Sequence, residues 1–101
     1  VHLARQTDND PGLEEELLTL FDRQSASILA QLSGEGLPVR QRADAAHMLR
    51  GSALAIGAGA VARAALALET ALERTGAGAA ELGALAQAIG QARAAIVRLR
   101  G

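Results

Sequence analysis

The sequence predicts an all-α fold, an up-down-up-down bundle of four helices, and three observations carry that expectation. Half of the 101 residues are hydrophobic, yet Phe21 is the only aromatic and Ala dominates the second half of the chain. Interiors of Ala with Leu and Ile suit helices whose axes approach closely, whereas sheets draw on β-branched and aromatic residues. Apolar residues recur at spacings of three and four in four successive stretches, the period of an amphipathic helix. Gly and Pro separate those stretches by short intervals, which favours antiparallel neighbours.

The first helix is predicted from about Pro11 to Leu32. Asp10 is placed to cap it, Pro11 suits a first turn, and Glu14, Glu15 and Glu16 lie at the positive end of the helix dipole. Its stripe is Leu13, Leu17, Phe21, Ile28 and Leu32, and Gly34 and Gly36 end it. Val1–Gln6 reads as a short extra helix against the bundle. Pro38 marks the second helix, with Val39, Ala43, Ala46, Leu49, Ala53 and Ile56 on one side and Gly57 and Gly59 breaking it. The third carries Val61, Ala64, Ala65, Leu68 and Leu72 and stops at Gly76. The last places Leu82, Leu85, Ile89, Ala92, Ile96 and Leu99 along one face. Gly90 sits inside it at a cost of about 1 kcal/mol relative to Ala.

A chain of this length fits a single domain spanning 1–101. Ten basic residues against eleven acidic ones give a formal charge of −1, a poor match to a nucleic-acid binder, which carries a basic face. With no Cys, disulfides and thiol chemistry are excluded. No apolar run approaches the roughly 18 residues that span a bilayer, so no membrane contact is expected. Val1–Asp10 lacks the pattern of a secretory leader, and a cytoplasmic setting is the default expectation. The chain opens on Val1 rather than Met, which suits a domain cut from a longer protein.

Chemistry concentrates at His47. At about 100° per residue, His47 lies roughly 110° from the centre of the second helix's stripe, outside the buried face. Gly51 follows one turn later in nearly the same direction. A helix interior avoids Gly, and a Gly beside a half-exposed His removes the side chain that would crowd the ring. Imidazole titrates near pH 6.5 when unperturbed, so most of it is neutral and nucleophilic at pH 7. Such a nitrogen takes up a phosphoryl group covalently and releases it again, provided that charge is neutralised and positions are held. Arg50, one turn on, and Arg40, two turns back, supply positive charge, and Ser52 offers a hydroxyl in a less favourable direction. Taken singly, a helical His is most often a tolerated boundary residue, an Arg a solvated charge, and a Gly a packing contact.

Other chemistry finds little support. His2 lies in the terminal segment with no motif around it, and two His so far apart make a poor metal site. Gly57-Ala58-Gly59 lacks the Lys and Ser/Thr of a nucleotide loop, so no autonomous kinase activity is expected.

The string Ala46-His47-Met48-Leu49-Arg50-Gly51-Ser52-Ala53, followed by Ile56-Gly57, resembles the signature of histidine-containing phosphotransfer domains, A-H-x-L-K-G-S-[AS] and then an aliphatic residue and Gly. Leu17-Leu18 and Phe21 before it and Leu68-Glu69 after it also match, and the resemblance, with its four helices, covers about 90 residues. The resemblance implies a phosphorelay intermediate of two-component signalling, with His47 phosphorylated through its outward ring nitrogen. Arg50 stands where the family has Lys, keeping the charge on a longer, forked side chain. Gly51 opens access, and Glu69 matches the acceptor that holds the other ring nitrogen. The implied partners are receiver domains of response regulators or hybrid kinases. Mg²⁺ would come from the receiver, with no cofactor bound by this chain, which would act as a monomer. Exposed Leu54 and the flank of Met48 would join Arg40 and Arg50 in docking an acidic partner pocket.

Two alternatives stand beside that reading. One is a degenerate family member that binds receivers without relaying phosphate, a direction in which Arg50 leans. The other is the dimerising hairpin of a histidine kinase, where an acidic residue typically follows the His; here Met48 does.

Overall fold

A computed structural model describes residues 11–34 and 36–100 of the chain. The helix expected over Val1–Gln6 and the Asp10 cap lie outside the described residues, as do the side chains of Leu13 and Leu99. Four α-helices follow one another: α1 (Pro11–Ser33), α2 (Val39–Ala55), α3 (Gly59–Thr75) and α4 (Ala79–Arg100). No strand occurs among the described residues. Each helix packs chiefly on its two neighbours in a closed ring, α1 on α2, α2 on α3, α3 on α4 and α4 on α1. The result is the predicted four-helix bundle, 41 × 19 × 17 Å, elongated along the helices. None of the described helices is long and apolar enough to cross a membrane.

The ends of α2 and α3 follow from glycine at φ > 0. Gly57 has φ 75°. Its N–H donates to the Leu54 carbonyl at 3.2 Å, and that of Ala58 to the Ala53 carbonyl at 2.8 Å. These are the two bonds of a Schellman termination, which needs a left-handed residue at this point. Gly76, φ 74°, ends α3 with one bond to the Leu72 carbonyl at 2.9 Å. Gly59 does not break α2, as the sequence suggests; it is the first residue of α3. Ile56–Ala58 alone links α2 to α3, so the two must run antiparallel side by side.

The core divides by helix. α1 contributes Leu18, Phe21, Ile28 and Leu32, and α4 contributes Leu85, Ile89 and Ile96. α2 brings Ala43, Ala45, Ala46 and Ala53 with a single Leu49, and α3 adds Ala62 and Ala65 to Val61, Leu68 and Leu72. Small residues on facing sides let helix axes approach, and α2 packs more extensively on α3 than any other pair does.

Two details of the predicted stripes are corrected. Leu18 is buried and Leu17 only partly so, because α1 must face both α2 and α4 and its buried arc widens past one residue per turn. Val39 is 41% exposed; as the first residue of α2 it sits at the bundle's end, against Gly76. Ser25 is fully buried, its hydroxyl donating to the Asp22 carbonyl at 3.2 Å, which satisfies the group within its own helix. The C-terminal end of α1 has no basic residue in its last turn. Arg42 of α2 supplies the missing donor, one guanidinium N–H reaching the Leu32 carbonyl at 3.2 Å.

Candidate functional site

The close α2–α3 seam brings His47 and Glu69 together from positions 22 residues apart. His47 Nδ1 lies 3.0 Å from one oxygen of the Glu69 carboxylate and 3.3 Å from the other. Their anchoring differs: the His47 side chain is 65% exposed and that of Glu69 16%. Each stands beside fully buried residues of its own helix, Ala46 and Leu68, so the core holds both backbones while only the imidazole projects.

The geometry settles which nitrogen is free. A carboxylate has no proton to give and only accepts, so the neutral imidazole carries its hydrogen on Nδ1 and donates it to Glu69. Nε2 then bears the lone pair, and it has no hydrogen-bond partner among the described residues. The result is a nucleophilic nitrogen facing solvent on a ring held from behind.

The surroundings keep that nitrogen open. Gly51 is exposed, and a Cβ built on it would meet nothing within 4 Å. It is therefore no packing contact: the helix carries a Gly that its own interior does not require. Arg50 is half-buried one turn after His47 and makes no hydrogen bond or ion pair with a described residue. Arg40 is exposed two turns earlier. Ser52, by contrast, is turned away: its hydroxyl donates to the Gln24 side-chain oxygen on α1 at 3.0 Å. That contact ties α2 to α1 and commits the only hydroxyl proton of Ser52.

Met48, 61% exposed, follows His47 on α2, and Leu54, 53% exposed, lies about two turns further along the same helix. Leu66 on α3, one turn before Glu69 and also exposed, was not foreseen. Neither it nor Gln24 has a local signal, because which residues of two helices share a level depends on their register. No group of three or more His, Cys, Asp or Glu among the described residues is placed to hold a metal ion.

Chemically, the arrangement suits attack by Nε2 on an electrophile that arrives from solvent. The ring gains positive charge as that bond forms, and Glu69 is in place to stabilise it. Comparison of the chain with protein-family models, with curated proteins and with solved structures finds no match in any of the three.

Proposed function

We propose that this chain is a histidine phosphotransfer domain, a phosphorelay intermediate that accepts a phosphoryl group on His47 from the aspartyl phosphate of one receiver domain and passes it to the aspartate of another. The observation that carries the reading is the His47–Glu69 pair, Nδ1 held at 3.0 Å with Nε2 unpartnered. In the forward step the Nε2 lone pair forms a bond to phosphorus. The phosphorus–oxygen bond of the acyl phosphate breaks, and its electron pair leaves with the donor carboxylate. The ring becomes an N-phosphoryl imidazolium with its proton still on Nδ1, and Glu69 balances the new charge. Return transfer reverses each change, so no proton need leave the site.

Arg50 is the cation nearest in sequence to the acceptor and has no competing ion pair, which suits it to the phosphoryl oxygens. Mg²⁺ belongs to the receiver partner in this reading. A monomer in a cytoplasmic setting belongs to it too. The kinase-hairpin alternative fits less well, because such a hairpin completes its bundle with a second chain and here one chain supplies all four helices. Arg50 in place of Lys is what favours the other alternative, a receiver-binding module that does not relay phosphate.

Incubation with phosphorylated receiver domains tests the proposal. Wild type should gain one phosphoryl group by intact mass, acid-labile as a phosphoramidate is, while His47→Gln stays unlabelled. Equal labelling of the two proteins overturns it. Binding of a receiver without any labelling supports the module that does not relay.

A further inference from the structure

From Met48 to Leu68 the chain runs down the second half of α2, round the turn and back along α3 to the site. The only charged residues on that path are Arg50 and Arg63. Glu69, the carboxylate that follows, is already engaged by His47. The other end of the seam carries both signs, since Arg40 stands there with Asp44 and Glu73. An acidic surface is therefore drawn to one end of the seam only, the end that holds the turn. That end also presents apolar surface: Leu54 on α2 is 53% exposed and Leu66 on α3 42%. Leu54 follows Gly51 by three residues and Leu66 precedes Glu69 by three, so each stands one helical turn from a residue of the site.

Arg63 is not explained by its own helix. Its guanidinium lies back toward the start of α3, where a Cβ built on Gly59 would stand 3.2 Å from Nη1. That is the positive end of the helix dipole, where a cation is unfavourable, and no acidic residue in the first turn of α3 offsets it. Arg63 is exposed and makes no hydrogen bond or ion pair with a described residue. A cation placed at a cost to its own helix, unpaired and on the same end of the seam as two exposed leucines, fits an anion brought by another molecule. In such a contact the apolar part contributes burial, and the charge selects the partner and fixes its orientation.

We infer that Arg63 is a specificity-determining residue for the protein that exchanges phosphoryl groups with His47. It receives an acidic side chain of a receiver domain whose neighbouring apolar residues cover Leu54 and Leu66. The inference rests on the phosphotransfer reading. It gives the partner's footprint a direction, from His47 over Gly51 toward the turn at Ile56–Ala58. It also separates the tasks of two arginines: Arg50, one turn from the acceptor, meets the phosphoryl group, and Arg63 meets the protein that brings it.

Two phosphodonors separate docking from chemistry. Potassium phosphoramidate is too small to bridge His47 and Arg63; a phosphorylated receiver domain is large enough to touch both. The variants are Arg63→Ala, Arg63→Glu and Arg63→Lys, with Arg40→Glu as the control, all at exposed positions. Arg40 is seven residues from His47 and Arg63 six from Glu69, so both cations stand about 10 Å along the helices from the site. Labelling by phosphoramidate should match wild type in all four. Transfer from the receiver should fall several-fold in Arg63→Ala and about tenfold or more in Arg63→Glu at low salt, and the deficit should shrink as salt rises. Arg63→Lys should stay near wild type. Arg40→Glu, with the same change in net charge, should lose distinctly less than Arg63→Glu. Unchanged or faster receiver transfer in Arg63→Glu overturns the inference, and so does an equal loss in Arg40→Glu or an equal loss with both donors. Labelling of wild type by phosphoramidate but by no receiver overturns the choice of partner and this inference with it. If wild type is labelled by neither donor, it is the phosphotransfer reading that fails.

Discussion

The seam between α2 and α3 and the seam between α1 and α4 are built on different principles. The first is lined largely by alanines, closes tightly, and carries His47, Glu69, Arg50 and Gly51. The second joins the two helices that bring the large residues Leu18, Phe21, Ile28, Leu85, Ile89 and Ile96 to the core. Among the described residues, the polar tie across it is a surface pair, Arg93 Nε to Asp22 Oδ1 at 2.6 Å, of the exposed kind that contributes at most about 1 kcal/mol. Large side chains bury more area each and so contribute most of the stability. Small ones contribute less but bring backbones near enough for side chains on separate helices to bond. The bundle thus divides its labour: α1 and α4 supply burial, and α2 and α3 supply proximity.

The largest test of that division is Phe21→Ala. It should destabilise the bundle by about 3–5 kcal/mol, read as a fall in the urea midpoint. The milder Ile28→Val, at about 0.5–1.5 kcal/mol, leaves a folded protein in which phosphoryl acceptance can be measured directly. Acceptance per folded molecule should equal wild type, and a marked loss would show that the two seams are not independent.

Ala65→Leu addresses the tight seam. Ala65 is fully buried one turn before Glu69, so extra carbons there should cost about 1–3 kcal/mol by overpacking and push α2 and α3 apart. Phosphoramidate labelling should then fall by more than the unfolded fraction explains. Labelling in proportion to the folded fraction would mean that close packing is not what holds the His47–Glu69 pair.

The smallest effect is expected at Gly51. Gly51→Ala should stabilise the protein by up to about 1 kcal/mol, because a helix-interior Gly gives way to the best helix former with nothing nearby to clash. Transfer from a receiver should slow at the same time. A variant both more stable and equally fast would remove access as the reason for this Gly.

Much of the fold was readable from the sequence because helical periodicity is a local property. The stripe of α2 from Ala43 to Ile56 and the stop at Gly76 each depend on residues a few positions apart. What the sequence misplaced or left unsaid has a common physical origin. Leu18 against Leu17, the burial of Ser25, the pull of Ser52 toward Gln24 and the reach of Arg42 to the Leu32 carbonyl all depend on where another helix sits. His47 and Gly51 share one helix, so spacing alone made them neighbours. The pairing of His47 with Glu69 crosses between helices, and only the resemblance to a known pattern made it an expectation.

The link Ile56–Ala58 has a consequence for how readily the site comes into being. His47 and Glu69 close a loop of only 22 residues, and loop-closure entropy grows with the logarithm of that length. Bringing the pair together is therefore inexpensive in chain entropy, whereas joining α1 to α4, as Asp22 and Arg93 do across 71 residues, sacrifices more. By the entropy of closure alone, the α2–α3 hairpin that carries the pair closes more cheaply than the α1–α4 seam, and the outer helices enclose it from positions far apart along the sequence.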